Sequence, residues 1–413
     1  MNDDILRVAF FPDSYHEVDG VANTSRQFEA FARRRGLPFL TVLGGTQSRV
    51  EPEGSVLRVE LPRGRIAFPL DKKHDFDLAF LRHYRDIEPQ VQAFKPDIVH
   101  ITGPSDSGIL GCLIAHRLKI PLAASWHTNL HQYAAQRSRA MISWMPNRIA
   151  NWFATAIGRG SLACVLRYYH IPQILFAPNQ ELIDLLERGT GKPCFLMGRG
   201  VDTNLFDPRQ RTRKGGPFVI GYVGRLTVEK NIRFLAEIEQ ALLAAQCANF
   251  SFLIVGQGAE ETWLRSNMKH AHVTGVLRDQ ALAEAYANMD VFVFPSETDT
   301  YGNVVLEAQA SGVPAIVTNS GGPRFIVRSG KTGFIANTRE EFAAHISRLQ
   351  SHPDELERMK VDCRMEALAA SWDSVFDSVY SGYERGLLAA SAAGKKVRMR
   401  SVSPVMSGAA RLS

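Results

Sequence analysis

The sequence is short of several things, and each shortage narrows what the protein can be. Five cysteines in 413 residues, Cys112, Cys164, Cys194, Cys247 and Cys363, lie far apart with no CxxC pair. That argues against a disulfide framework or a cysteine zinc site and predicts a reducing compartment. No apolar run reaches the roughly 18 residues that a membrane-spanning helix needs. The opening MNDDILRVAFFPD is acidic and enters a short apolar run at once, unlike a secretory signal. A cytoplasmic protein is expected. Acidic residues are missing from two long stretches. None occurs between Asp106 and Glu181, where Arg117, Lys119, Arg137, Arg139, Arg148, Arg159 and Arg167 fall. None follows Glu384, and the tail carries Lys395, Lys396, Arg398 and Arg400. Solenoid-length repeats and nucleic-acid motifs are absent too, so no nucleic-acid partner is expected. The oligomeric state is left open.

What is present is the balance of a globular protein, 45% hydrophobic and 22% charged, with a formal charge of +6 that suits an anionic partner. The length exceeds one ordinary core, so two domains are expected. Short β-rich runs alternate with amphipathic helical stretches. Strands are read at RVAFF, FLTVLG, VLRVEL, DIVHIT, PLAASW and QILFAP, then at FVIGYVG, FSFLIVG, HVTG, VFVFP, PAIVT and GFIA. Stretches such as TSRQFEAFARRR and FLAEIEQALLAA read as helices between them. The alternation predicts an α/β protein of two doubly wound, Rossmann-like domains, with ligands at the carboxyl ends of the strands. The polar stretch LMGRGVDTNLFDPRQRTRKGGPF marks the boundary. The expected division is 1–200, then 201–372, then a last helix over 373–390 that can return to the first domain. A basic tail, 391–413, is expected to be disordered.

The densest chemistry lies in SETDTYGNVVLEAQASGVPAI, after the buried run VFVF. A helix is expected to start at Gly302–Asn303, where Gly302 permits close approach of a ligand to the backbone. The amides of Asn303, Val304 and Val305 would then form an anion-binding helix end. Asp299 lies upstream, and Glu307 about one turn in, within reach of a ribose diol. The same spacing also fits a helix cap at Asp299 and a solvated first-turn acid at Glu307. In GYVGRLTVEKNIRFL, Arg225 and Lys230 stand five apart just after another strand, where two cations can clamp a diphosphate without metal. Glycine loops at SFLIVGQGAEE (Gly256) and HVTGVLRDQ (Gly275) end two further strands. In the first half, Gly20 opens a loop before a helix, and SWHTNLHQYA places His127 and His131 four apart. HTNLH lacks the Glu of HExxH, which favours a reading without metal.

Taken together, GRGVDTNLF, VGRLTVEKN, FLIVGQG, VTGV, SETDTYGNVVLEAQASGVPAI and GFIA resemble the sugar-nucleotide domain of glycosyltransferase family 4. Those are retaining enzymes of the GT-B fold, with two Rossmann-like domains facing across a cleft. DTxGNVVLEA resembles the branch that includes GDP-mannose-dependent α-mannosyltransferases acting on lipids. The resemblance implies that Asp299 holds the donor hexose, Glu307 the ribose, and Arg225 with Lys230 the diphosphate. It also implies that Gly20 belongs to a loop closing over donor phosphates, and that His127 hydrogen-bonds the donor sugar near the reacting carbon. His131 is then structural or on the acceptor side. Family members commonly have Glu where this chain has Asp299, a side chain shorter by one methylene. No cofactor is expected beyond the nucleotide-sugar co-substrate, GDP-mannose or a UDP-hexose.

QRSRAMISWMPNRIANWFATAIGRGSLACVLRYY combines five arginines with Trp144, Trp152 and Phe153. A basic amphipathic stretch with aromatics suits an anionic membrane surface, and hence a lipid or lipid-linked glycan acceptor. Its rival is a core helix whose arginines face solvent, with a soluble acceptor. Two other functions share the fold: a non-hydrolysing sugar-nucleotide epimerase, and an inactive nucleotide-sugar-binding partner.

Overall fold

The computed structural model describes residues 5–17, 20–64, 67–71, 74–77, 79–127 and 147–392. They fall into two compact units. Of the described residues, unit 1 takes those up to His127, Arg159–Met197 and Phe376–Ala392; unit 2 takes Gly198–Val375 and, before it, 147–158.

The strands of unit 1 are β1 (Val8–Phe11), β2 (Phe39–Gly45), β3 (Arg49–Glu53), β4 (Val56–Pro62), β5 (Ala67–Asp71), β6 (His74–Asp77), β7 (Ile98–Ile101), β8 (Leu122–Ser125), β9 (Ile174–Ala177) and β10 (Cys194–Leu196). Eight of them form one sheet in the order β10-β9-β8-β7-β1-β2-β4-β3, while β5 and β6 pair separately. All pairings in the large sheet are parallel except β3 with β4. Helices α1 (Gly20–Arg34), α2 (Tyr84–Phe94), α3 (Asp106–Leu118), α4 (Asn147–Tyr169) and α5 (Gln180–Thr190) follow the strands. VAFF, IVHI and ILFA are buried at every position, as strands covered on both faces must be. By contrast β3, RVEPE, is charged and largely exposed, the character of a protected edge strand. That polarity is why it carries no signal of an apolar run.

Unit 2 contains β11 (Phe218–Val223), β12 (Phe250–Val255), β13 (Ala271–Gly275), β14 (Val291–Phe294), β15 (Ala315–Thr318) and β16 (Gly333–Ala336). They form a wholly parallel sheet ordered β13-β12-β11-β14-β15-β16. Its helices are α6 (Phe234–Ala244), α7 (Glu261–Asn267), α8 (Asp279–Ala287), α9 (Asn303–Ala310), α10 (Arg339–Ser351) and α11 (Pro353–Ala369). Arg364 of α11 donates to the carbonyls of Thr203, Phe206 and Ala310 and to Asp207, tying the start of the unit to the end of α9.

The last helix, α12 (Trp372–Ala392), begins beside Gly200 and continues into the core of unit 1. There Phe376 stacks on Phe28 with centroids 4.5 Å apart, and Tyr383 meets Phe176 edge-on.

The second half of α4 packs Leu162, Val165, Leu166, Tyr168 and Tyr169 against the core of unit 1 and leaves Arg159 and Arg167 in solvent. Trp144, His131, Arg137, Arg139 and the basic tail beyond 392 lie outside the described residues, as do the side chains of Trp152 and Phe153. No described helix is long and apolar enough to cross a membrane.

Candidate active site

In a doubly wound sheet the ligand crevice opens where successive strands are laid down in opposite directions from one starting strand. In unit 2 that place lies between β11 and β14: β12 and β13 extend one way from β11, and β14, β15 and β16 the other. The loop after β11 carries Arg225 and Lys230, and the loop after β14 carries Asp299. Lys230 Nζ donates to Asp299 Oδ1 at 2.5 Å, a bond that joins the two loops across the switch point. It is reinforced by Thr298 Oγ1 donating to the Glu229 carbonyl at 3.2 Å. The ammonium also stands 5.9 Å from the Phe294 ring centroid, a cation–π distance. Lys230 is buried and Asp299 half-buried, so the pair is partly shielded from solvent.

Two groups beside that pair have unused hydrogen-bonding capacity. Asp299 Oδ2 is buried and makes no hydrogen bond. Arg225 is exposed, and among the described residues its guanidinium has no acidic partner. The Arg225 carbonyl accepts a bond from Tyr222 Oη at 3.1 Å. Burial, then the charge of Asp299, push the Tyr222 phenol well up, so it stays a neutral donor that fixes the loop.

Helix α9 starts where the glycine pattern predicts. Gly302 precedes it at φ +94°, a conformation that disfavours side chains, and a Cβ there would lie 2.8 Å from Pro323 Cγ. No side chain caps the helix. The Val305 amide, expected to be open, instead donates to the Gly302 carbonyl at 2.9 Å, because the first turn tightens. That leaves the amides of Asn303 and Val304 as the end at which an anion could be held. One turn on, Glu307 accepts a bond from the buried Tyr286 Oη at 2.8 Å. Burial raises the Glu307 carboxyl above its ordinary value, and the Tyr286 bond partly offsets this. Asp299 is not the helix cap, and Glu307 is not a freely solvated acid.

Gly256 and Gly275 lie at neighbouring strand ends, as expected, but they bond to each other: the Gly256 amide donates to the Gly275 carbonyl at 2.8 Å. A Cβ on Gly256 would sit 1.9 Å from the Gly224 carbonyl oxygen, so close packing of two loops already demands glycine there. In unit 1, Gly20 is the exposed first residue of α1. His127 follows β8, is buried, and pairs its Nε2 with Ser125 Oγ at 2.5 Å.

Several supporting residues gave no motif signal. Tyr286 lies in a helix of ordinary composition. Gly322 donates its amide to the Asp299 carbonyl at 2.6 Å and so holds the acidic loop from behind. Only the repeated glycines of SGGP hinted at it. Among the described residues no group of three or more His, Cys, Asp or Glu is arranged to hold a metal.

Two doubly wound units, with Arg225, Lys230 and an uncapped helix end at the switch point of the second, are the arrangement of a GT-B glycosyltransferase. The family described as Glycosyl transferases group 1 matches residues 217–352, and the Glycosyl transferase 4-like domain matches residues 16–158. The chain is 30% identical to a GDP-mannose-dependent alpha-mannosyltransferase of Mycobacterium tuberculosis, over 92% of this chain and 96% of that one. A protein of the same description from Mycolicibacterium smegmatis is 29% identical over 92% and 97% of the two chains. Among solved structures, sucrose-phosphate synthase from Thermosynechococcus elongatus superposes with a TM-score of 0.70 at 17% identity, covering 93% of this chain and all of that one. The chain belongs to glycosyltransferase family 4.

Proposed function

We propose that the protein is a retaining mannosyltransferase that moves mannose from GDP-mannose to a hydroxyl on a lipid or lipid-linked glycan. The observation that carries the donor-site reading is the Lys230–Asp299 bond across the switch point, with Arg225 exposed beside it and the α9 N-terminus uncapped. Arg225, Lys230 and the amides of Asn303 and Val304 would hold the diphosphate and stabilise the charge that grows on it as the glycosidic bond breaks. Asp299, through Oδ2, would bind the hexose, and Glu307 the ribose diol. His127 would hydrogen-bond the sugar beside its reacting carbon, and Gly20 would lie near the donor phosphates. The choice of mannose and GDP is supported by the mycobacterial relatives' descriptions.

Double displacement needs a carboxylate nucleophile on the far face of the sugar. The sequence offers no obvious candidate, so attack is assigned to the same face. The bond from the anomeric carbon to the phosphate oxygen breaks, the bond to the acceptor oxygen forms, and the departing phosphate takes the acceptor's proton. No metal is assigned to this step. A panel of nucleotide sugars read by thermal shift, followed by turnover with lipid extracts, tests the reading. Stabilisation by GDP-mannose above UDP-hexoses and a mannosylated lipid product are expected; stabilisation by UDP-hexoses alone would reject the donor.

The lipid acceptor and a peripheral site on the cytoplasmic face of the membrane are supported by the acid-free segment between Asp106 and Glu181. Flotation with anionic liposomes at low salt is the measurement. A protein that stays in the soluble fraction would point to a soluble acceptor.

A further inference from the structure

The core of unit 1 holds a polar chain that the donor site does not account for. His100 on β7, Ser125 at the end of β8 and Tyr383 on α12 are all fully or almost fully buried, in a layer otherwise formed by Phe10, Phe28 and Phe176. Their side chains share one face of the sheet, because His100 is paired with Ala123, two residues before Ser125. Tyr383 Oη bonds His100 Nδ1; His100 Nε2 bonds Ser125 Oγ at 2.9 Å; Ser125 Oγ bonds His127 Nε2 at 2.5 Å. The backbone beneath is pinned by Tyr169 Oη donating to the Ser125 carbonyl at 3.1 Å. A buried polar chain in an aromatic layer is costly, and a purely apolar set would pack there as well.

The direction of the chain follows from its ends. Burial lowers the His100 pKa to about 3, so the ring is neutral, with one nitrogen donating and the other accepting. Tyr383 is fully buried, and the hydrogen bond it makes is to His100. Were His100 Nδ1 the donor, the phenolic proton would be left buried without that partner. The phenol therefore donates to Nδ1, and His100 carries its proton on Nε2 and donates to Ser125. The Ser125 hydroxyl proton then turns to His127 Nε2.

We propose that Tyr383, His100 and Ser125 are positioning residues that fix the ring and tautomer of His127, with its proton on Nδ1 and its Nε2 lone pair occupied by Ser125. The last helix thereby sets which ring nitrogen of His127 carries the proton. The inference rests on the reading that His127 lies beside the donor sugar, but its tautomer readout does not depend on that reading.

The test is long-range 1H–15N correlation of the imidazoles in nucleotide-free full-length protein, with His127 assigned through its substitution by Gln. The Nδ1–H tautomer is expected for His127 and Nε2–H for His100. Tyr383→Phe keeps the ring packing but removes the proton that orients the chain. It should give mixed tautomers at both histidines and lower kcat by up to about a hundredfold, with donor KM little changed. Ser125→Ala should act in the same direction, and Ser125→Thr should restore the wild-type spectrum. A wild-type His127 with its proton on Nε2, or a Tyr383→Phe spectrum identical to wild type, overturns the relay. If the relay signature is present and His127→Gln transfers normally, the relay stands and the placing of His127 beside the sugar fails.

Discussion

At the scale of single residues, the charged pair at the switch point is also part of the fold. Lys230→Ala would remove a cation from the proposed diphosphate site and leaves the half-buried Asp299 carboxylate without its partner. Transfer is expected to fall at least ~100-fold, and denaturant unfolding should show a loss of about 1–3 kcal/mol. Glu307→Ala should cost transfer similarly with a smaller loss of stability, since it leaves only the Tyr286 hydroxyl unpaired. Near-normal turnover in either variant would displace the donor site from these residues. Glu307 also predicts a pH dependence. Folding raises its pKa, so the native state keeps a proton that the unfolded chain has released. Its contribution to stability is therefore greatest below the ordinary value of 4.5 and declines as pH rises through the window up to the raised value. If Glu307 binds the ribose as proposed, nucleotide binding should run the other way, weakening as acid removes its carboxylate. Tyr286→Phe deletes the hydrogen bond that lowers this pKa, so calorimetric titration should find the acid limb of binding moved to higher pH.

At the scale of elements, the strands were legible because parallel strands covered on both faces must be continuous apolar runs; VFVF and FVIGYV can be little else. Two of the strands without that signature, RVEPE at the sheet edge and the short CFL of β10, are incompletely buried. In the site, charged residues could be picked out, since Arg225, Lys230 and Asp299 follow strand ends and Glu307 lies one turn into α9. Residues that act by shape or by second contacts could not. Nothing local marks Tyr286 as the partner of Glu307, and Val305 was read as open because a helix start alone does not reveal a tightened first turn. Gly322 tests the shape contribution. A Cβ there would lie 2.0 Å from the Thr300 carbonyl oxygen and 2.5 Å from the Tyr301 amide, both backbone atoms with little room to move. Gly322→Ala should shift the 297–301 loop and lower transfer about tenfold or more through misplacement of Asp299, while far-ultraviolet circular dichroism stays unchanged.

At the scale of the whole molecule, the last helix contributes to the core of unit 1 although 174 residues of unit 2 (198–371) come before it. Phe376 is fully buried and stacks on Phe28, also fully buried. Phe376→Ala should cost unit 1 about 3–5 kcal/mol. In hydrogen exchange the loss should appear across β1, β2 and α1 and leave β11 to β16 at wild-type protection. A uniform loss over both sheets would mean that the two units unfold as one.

That arrangement has a consequence for biosynthesis. His100 and its partner Tyr383 are 283 positions apart, so at ordinary translation speeds the ribosome needs on the order of tens of seconds to travel from one to the other. Within that interval the last strands of the first sheet, β8 to β10, are completed, while the aromatic surface around Phe28 still lacks the helix that covers it. The later-made sheet, whose strands and helices are contiguous in the nascent chain, can finish first. The nascent protein thus offers chaperones a sticky face that only its closing helix conceals, and a ribosome stalled before Phe376 would release it uncovered.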